Sequence, residues 1–363
     1  MIRRTVIPMV LPLTWACGTA PPPQPSPECE AAWSAPAAQE FVAVLAAATS
    51  SDRSVWGTYG LGDGSFVLDA GESDAGGICV GLWQDGQAIA YATVDEAPKL
   101  LTPLYGYYFR SDQSTDSTPG LVAASAQPAS VTTWLETFDV DRAVVVPVEV
   151  EDFPIPMSAL RKAQLAIHEA FHIVVQAPRW FESIGPWPVW DQQPDRAGVR
   201  ACYTHSPDVE TALGLERESL VLLVNSLLNG DTTAACRAGE EFLSRRDARH
   251  ELLSDATVAL HDGALGSCRE AEAIMELEEG TADYASWTVL YDLGQASREQ
   301  LIRRYEAQQN DMFYLTGAMQ LHAVQLMRPD GMGDVAREIA ESEGPEDGSI
   351  TSVLTRTLGS YCR

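Results

Sequence analysis

The sequence is poor in basic residues and has no long hydrophobic run. Only 24 of its 363 residues are Lys or Arg against 51 Asp and Glu, so the formal net charge is −27 at pH 7. Clustered Lys and Arg drive binding to phosphates, and their shortage excludes nucleic acid as an expected partner. No apolar stretch approaches the roughly 20 residues that span a bilayer. The 45% hydrophobic content predicts a folded chain with material for a buried core.

The seven cysteines are an odd number, and the first of them stands near the N-terminus. Residues 1–16 combine two arginines with a short apolar stretch, which predicts an export signal peptide. Ala16-Cys17-Gly18 resembles a bacterial lipoprotein cleavage site, so Cys17 is expected to anchor the chain in the cell envelope; ordinary secretion is the alternative. Six cysteines then remain, and this even number predicts up to three disulfides in an oxidising compartment, with their pairing left open.

The composition along the chain predicts an α+β protein in two parts. A Pro-rich tether occupies residues 17–29 after the anchor. Residues 30–150 form a β-rich N-terminal region, with an Ala-rich helix first, then short strands between Gly-containing turns, and a loop at 111–130. Residues 151–363 are mainly helical, with an irregular stretch at 179–207. The predicted helices of this second part are about 158–177, 208–229, 233–252, 268–291, 296–309, 313–328 and 332–342.

The motif His168-Glu169-Ala170-Phe171-His172 lies within the first of these helices, which begins at a predicted N-cap, Ser158. Histidines four residues apart share one helix face, so both imidazoles can bind one ion while Glu169 projects from the adjacent edge. Two neutral nitrogens that hold a metal, beside a carboxylate that takes a proton from the activated water, are the arrangement of a hydrolytic zinc site.

A later acidic segment offers a third ligand. In Glu279-Gly-Thr-Ala-Asp283 the two carboxylates are four residues apart and share a face of the helix predicted there. Glu279 is therefore the candidate third ligand, and Asp283 is expected to accept a hydrogen bond from a ligand histidine. Glu276 and Glu278 are the nearest alternatives to Glu279. The other interpretation of Glu272, Glu276 and Glu278 is a solvated acidic face.

Together these two segments resemble the zinc motifs of the gluzincins, the metallopeptidase clan of thermolysin and aminopeptidase N. In that clan the glutamate ligand lies on a later helix, often in a Glu-Gly-x-Ala or Glu-x-x-x-Asp setting, and both settings are present here. The resemblance implies Zn²⁺ bound by His168, His172 and Glu279. It also implies that Glu169 is the general base and proton shuttle, and that the substrate is a peptide or protein.

Phe313-Tyr314-Leu315-Thr316-Gly317-Ala318 resembles the Tyr-x-x-Gly-Ala start of the helix that carries the transition-state tyrosine in aminopeptidase-like gluzincins. A phenol at Tyr314 would donate a hydrogen bond to the developing oxyanion. An ordinary core aromatic at a helix start is the alternative interpretation of Tyr314. His322, on the same predicted helix, is a weaker candidate for this role.

The spacing of the motifs departs from the clan. Between His172 and Glu279 lie 106 residues, where the best-known gluzincins have a short helix-turn-helix, so residues 179–267 are interpreted as an insert. We expect an exported zinc-dependent metallohydrolase that cleaves peptide bonds and touches the membrane only through Cys17. The alternative is a catalytically inactive, metallopeptidase-like binding or structural lipoprotein of the envelope.

Overall fold

The computed structural model describes most of the chain beyond residue 22. The described residues are 23–50, 54–56, 59–60, 64–110, 126–149, 157–176, 194, 196–259, 265–297, 300, 302–304 and 312–363. The predicted signal peptide, Cys17 and most of the predicted helix 296–309 lie outside these residues.

The secondary structure confirms the predicted α+β class, with strands in the first half and helices dominating the second. The strands are β1 (Ser54–Trp56), β2 (Tyr59–Gly60), β3 (Phe66–Glu72), β4 (Ile78–Gln84), β5 (Gln87–Val94), β6 (Gly106–Phe109), β7 (Arg142–Pro147), β8 (Thr257–Ala259) and β9 (Leu265–Ser267). The helices are α1 (Glu30–Ser34), α2 (Pro36–Thr49), α3 (Ala129–Glu136), α4 (Ala159–Val174), α5 (Arg196–Tyr203), α6 (Pro207–Leu228), α7 (Thr232–Leu252), α8 (Cys268–Met275), α9 (Thr281–Asp292), α10 (Met312–Met327), α11 (Met332–Ala340), α12 (Pro345–Gly348) and α13 (Ile350–Tyr361).

A five-stranded mixed sheet with the order β5-β4-β3-β7-β6 forms the centre of the N-terminal half. Only β3 and β7 are parallel; the other neighbours in this sheet are antiparallel. The predicted turn between β4 and β5 is confirmed, since Asp85 and Gly86 both have the positive φ that a tight hairpin needs. Strand β6 lies at one edge of this sheet, which matters below because its Tyr107 reaches the candidate metal centre.

Both faces of the sheet are covered by helices. Val67 and Val145 point to one face and pack with Val131 and Leu135 of α3. The alternate residues of the same strands point to the other face, where the core includes α2 and α4. Residues 111–125 of the predicted loop 111–130 lie outside the described residues. Helix α3 takes in the last two residues of this predicted loop, because Val131 and Leu135, four apart, bury one helical face against the sheet.

The helical half differs from the prediction in several places. The single predicted helix 268–291 is interrupted by a π-helical turn, Glu276–Gly280, between α8 and α9. The stretch 179–207, expected to be irregular, ends in α5. The amphipathic C-terminal helix α13 and the small β8–β9 hairpin were not predicted, since the first is short and polar outside and the second has strands of three residues.

Three disulfides confirm the prediction made from the even number of remaining cysteines. They are Cys29–Cys79, Cys202–Cys268 and Cys236–Cys362. The last two connect the segment 179–267 to helix α8 and to the end of α13. The described part of this segment is therefore linked covalently to the rest of the helical half. Disulfides of this number point to an oxidising, extracellular environment. Among the described helices, none is both long and apolar enough to cross a bilayer.

Candidate metal centre

Helix α4 carries a stripe of buried polar side chains. Its N-terminus is capped by Ser158, whose side chain accepts a hydrogen bond from the backbone N–H of Arg161, as the sequence predicts. Gln164, His168, His172 and, just past the helix end, Gln176 follow one another at intervals of four residues, and all four are buried. This spacing places them on one helix face. The stripe faces the segment that contains Glu279 and Asp283.

Three ligand atoms converge at the middle of this stripe. Nε2 of His168 and Nε2 of His172 are 3.0 Å apart. Oε2 of Glu279 lies 3.3 Å from the first nitrogen and 3.4 Å from the second. Tetrahedral zinc with bonds of 2.0–2.1 Å requires ligand atoms roughly 3.3 Å apart. The His168, His172 and Glu279 group therefore has the atom types and the spacing to bind a metal ion.

The chemical state of the ligands also suits a metal. Burial, with a smaller contribution from neighbouring His172, lowers the pKa of His168 to about 3, so its imidazole is neutral near neutral pH. A neutral imidazole is the form that ligates metals. Glu279 is only 1% exposed, and a buried carboxylate needs a positive partner. Its second oxygen, Oε1, accepts a hydrogen bond from Arg196 at the start of α5.

The two glycine-containing motifs hold Glu279 in place by packing directly on each other. A Cβ added to Gly280 would lie 2.6 Å from Cα of Gly317, and one added to Gly317 would lie 2.4 Å from the carbonyl oxygen of Glu276. No side chain fits at either position, so the π-helical turn and α10 make backbone contact here. Gly280, directly after Glu279, and Gly317, three residues after Tyr314, therefore form a single packing contact. This contact fixes the position of Glu279 relative to α10.

Gly280→Ala is expected to weaken metal binding and to lower stability. The added methyl group has no room against Gly317 and must push the π-helical turn away, which costs about 1–3 kcal/mol and shifts Glu279. Affinity for a divalent metal ion, measured by competition with a chelating dye, should fall together with the unfolding midpoint. Gly214→Ala is the matched control, because Gly214 lies in α6 with nothing within 4 Å of the added Cβ; it should be neutral or slightly stabilising. Wild-type affinity in Gly280→Ala would contradict this packing role.

The ligands are themselves held by polar neighbours. Nδ1 of His172 donates to Oε1 of Gln176, and the amide nitrogen of Gln176 donates to the carbonyl oxygen of Glu278 at 2.6 Å. Gln176 thus ties the histidine helix to the segment that carries Glu279, and it does for His172 what the sequence analysis assigned to Asp283. Nδ1 of His168 has no hydrogen-bond partner among the described residues.

Asp283 is buried next to the stripe, and its carboxylate contacts an arginine. Arg304 donates to both of its oxygens, and Gln164 donates to Oδ1 at 3.4 Å. Gln164 also donates to Ser286 at 2.9 Å, so it connects α4 with α9. Asp283 is therefore close to the ligand stripe as expected, but its described hydrogen bonds go to Arg304 and Gln164.

Glu169 lies beside the three ligands and outside their triangle. Its carboxylate is buried and accepts a hydrogen bond from the hydroxyl of Tyr107 on the edge strand β6. Burial, reinforced by the charge of Glu169, raises the pKa of Tyr107 well above its ordinary value and that of Tyr105 to about 12. Both phenols therefore stay protonated and are hydrogen-bond donors. Tyr107 of the edge strand thus supplies a hydrogen-bond donor to the Glu169 carboxylate.

Tyr314 is part of this site as well. Its ring stacks on the imidazole of His168, with centroids 5.7 Å apart and planes inclined by 26°. The guanidinium of Arg196 lies over the Tyr314 ring, 5.9 Å from its centroid. His322 is buried deeper in α10, beside Thr288 and the ring of Tyr284, and burial lowers its pKa to about 4.

The alternative ligands have other surroundings. Glu276 is buried and bound by Arg246, Thr316 and Gln320. Glu272 is buried as well, against Arg249, so the interpretation of a solvated acidic face is wrong for both residues. Both carboxylates can be buried because arginines on α7 neutralise their charge. These arginines lie more than 20 residues upstream, so the local sequence does not reveal them. Glu278 is half-buried, and its carbonyl group accepts the bond from Gln176.

Four residues of the site were not predicted from the sequence: Tyr107, Gln164, Gln176 and Arg196. The two glutamines could have been found, since they extend the His168–His172 spacing by four residues in each direction. Tyr107 and Arg196 are far from the motifs along the chain, and nothing in their local sequence marks them. In comparisons with protein-family models, with characterised proteins and with solved structures, no match to this chain is found.

Proposed function

We propose that this chain is a zinc-dependent hydrolase of peptide bonds, with a gluzincin-like ligand set. The observation that carries the proposal is the triangle of His168, His172 and Glu279 with the carboxylate of Glu169 next to it. Two imidazoles and one carboxylate are the protein ligands of catalytic rather than structural zinc sites, since structural sites use four ligands rich in cysteine. All six cysteines of the described chain are in disulfides, so none competes for the ion.

Zinc bound to this triangle would supply a Lewis acid that polarises a substrate carbonyl and makes water acidic near neutral pH. The chain supplies the proton transfers. Glu169 is positioned to take a proton from the attacking water and to return it to the departing amine. The hydrogen bond from Tyr107 fixes one oxygen of this carboxylate. The other oxygen is then the one that accepts the proton from the water.

Negative charge that develops on the substrate oxygen needs a donor. Tyr314 is the first candidate, as its ring is stacked on a ligand histidine, and Arg196 supplies positive charge in the same region. One such donor contributes roughly 2.7–4 kcal/mol of barrier lowering in comparable hydrolases. The resemblance of residues 313–318 to the gluzincin tyrosine helix supports the same assignment.

We further propose export and anchoring through Cys17. The three disulfides support an oxidising compartment, in agreement with the signal-like residues 1–16. The six cysteines that remain after Cys17 are fully used, which leaves Cys17 for the lipid.

Metal analysis of the purified protein, beside turnover on a mixed peptide library, tests the function. We expect one equivalent of zinc per chain and cleavage that a chelator abolishes and added zinc restores. Stoichiometric zinc with no turnover would contradict the hydrolase proposal and favour a metal-bearing binding lipoprotein. Absence of zinc binding would contradict the metal centre itself.

A further inference from the structure

Arg196 differs from the other groups at the metal centre in its exposure. The three ligands and Glu169 are buried, whereas half of the Arg196 side-chain surface is accessible to solvent. Its described hydrogen bond goes to Oε1 of Glu279, and a guanidinium has five N–H donors. The group is thus fixed by one bond to a ligand and still presents donors to an incoming molecule.

The charges near the ligands contrast with the acidity of the whole chain. Arg196 contacts Glu279, Arg304 contacts Asp283, and the charge of Arg161 acts on Asp283 and Tyr314. These three arginines balance the three carboxylates of Glu169, Glu279 and Asp283. A bound divalent cation then makes this region positive, although the chain carries a net charge of −27. An anionic group is therefore favoured at the site, where net charge alone would favour a cationic one.

The charge of Arg196 also acts on three tyrosines around the site. Its guanidinium lies 5.9 Å from the centroid of Tyr314, and its charge lowers the pKa of both Tyr105 and Tyr107 against the larger effect of burial. Arg196 is therefore close to the edge strand on one side and to α10 on the other. A carboxylate that approaches the exposed side of Arg196 meets a guanidinium already oriented by Glu279.

We propose that Arg196 is a specificity residue that binds a substrate carboxylate next to the scissile bond. This inference rests on the proposed peptidase function. Successive residues of a peptide are about 3.8 Å apart, so an anion held beside a metal ligand belongs to a residue that adjoins the cleaved bond. We assign it to the residue that follows this bond, because only that residue can offer a free C-terminal carboxylate. Two sources share this chemistry: the free C-terminal carboxylate of that residue, which would make the enzyme a carboxypeptidase, or an Asp or Glu side chain at that position.

Binding of acetylated dipeptides to the zinc-loaded Glu169→Gln protein separates these sources. Calorimetry would compare a dipeptide acid, its C-terminal amide, and an amide that ends in Glu. We expect the acid to bind at least about tenfold tighter than the plain amide, as charge-assisted hydrogen bonds allow. Arg196→Gln should remove this difference while amide binding stays within about twofold. The Glu-containing amide shows whether a side-chain carboxylate substitutes for the terminus.

Arg200→Gln is the matched control. Arg200 is exposed one turn further along α5, and its substitution removes the same charge as Arg196→Gln. Zinc content is measured for each variant, since Arg196 contacts a ligand. Equal binding of the acid, the plain amide and the Glu-containing amide by the parent protein, or an equal loss in both arginine variants, would overturn the assignment. Equal weakening of acid and amide together with zinc loss would make Arg196 a positioning residue for Glu279 and would also overturn it.

A small carboxylate keeps this test separate from the peptidase proposal. N-acetylglycine and its amide can be titrated into the zinc-loaded protein whether or not any peptide is cleaved. Preference for the acid that depends on Arg196, without peptide turnover, would support the anion site and contradict the peptidase function. Turnover with no preference for a carboxylate in either titration would do the reverse.

Discussion

Glu169→Gln is expected to keep its zinc and to lose peptide hydrolysis by about 10²–10⁴-fold, the usual contribution of a general base. Glu169 lies outside the triangle of ligand atoms, so the metal content should remain at one equivalent per chain. The amide oxygen of Gln can still accept the hydrogen bond from Tyr107. The variant therefore preserves packing and changes only the capacity to accept and return a proton.

Two measurements make this prediction specific. Metal analysis and the thermal unfolding midpoint should match those of the parent protein, and kcat should account for most of the loss. Glu218→Gln is the control, since Glu218 is an exposed carboxylate on α6 and its loss changes the net charge equally. Activity within threefold of the parent in Glu169→Gln would refute the assigned mechanism. The other buried carboxylates near the ligands in the described chain, those of Glu279 and Asp283, are bound by arginines and cannot replace Glu169 as the base.

The residues of the site that could be predicted are those that follow one another at helical spacing in the sequence. His168, His172 and Glu169 occupy one helix turn, and a periodicity argument places them without knowledge of the fold. Glu279 and Asp283 follow the same rule on a second helix. Tyr314 was found only by resemblance, and its closeness to His168 depends on the contact between Gly280 and Gly317, which no spacing argument reveals.

The π-helical turn explains why the acidic helix was misinterpreted. In an uninterrupted α-helix, Glu272, Glu276, Glu279 and Asp283 would form one stripe. A π-helical turn holds one more residue than an α-helical turn, and side chains after it are rotated by about 100° relative to those before it. Glu272 and Glu276 therefore face the arginines of α7, whereas Glu279 and Asp283 face α4.

The fold was predictable at the level of its class and of its hairpin turn, and less so where tertiary contacts decide. Helix α3 forms because Val131 and Leu135 cover the sheet. The segment 179–267, interpreted as an insert, contributes Arg196 to the metal centre and α7 to the core. Long-range contacts of this kind are absent from local sequence patterns, so residues such as Arg196 and Tyr107 require coordinates.

Arg249→Met is expected to destabilise the protein by about 3–5 kcal/mol, the cost of removing one partner from a buried ion network. Arg249 is completely buried; its Nε donates to Glu216 at 2.6 Å, and a terminal nitrogen donates to Glu272 at 2.7 Å. Arg246 binds Glu216 and Glu276 in the same way. Met fills most of the volume but leaves Glu272 without its closest positive charge.

The loss should depend on pH in a defined direction. Burial favours the neutral form of Glu272, yet Arg249 and Arg246 hold its pKa well below the ordinary value. A carboxyl group with a depressed folded-state pKa adds stability above its unfolded pKa, and this contribution disappears as the pH falls through the folded pKa. Without Arg249 the burial effect prevails and Glu272 can take up a proton. The difference between variant and parent should therefore be largest near pH 7 and shrink toward pH 4.

Urea unfolding at several pH values, with the disulfides intact, measures this difference. Arg237→Met is the control, since Arg237 is exposed on the same helix and should change stability by no more than about 0.5 kcal/mol. The double variant Arg249→Met with Glu272→Gln should recover part of the loss at pH 7, because it removes the uncompensated charge. A loss that is independent of pH and is not relieved by Glu272→Gln would indicate a packing defect instead.

Glu276 of this network begins the π-helical turn that carries Glu279. Zinc affinity measured on the same variants should therefore show whether the network supports the position of this ligand.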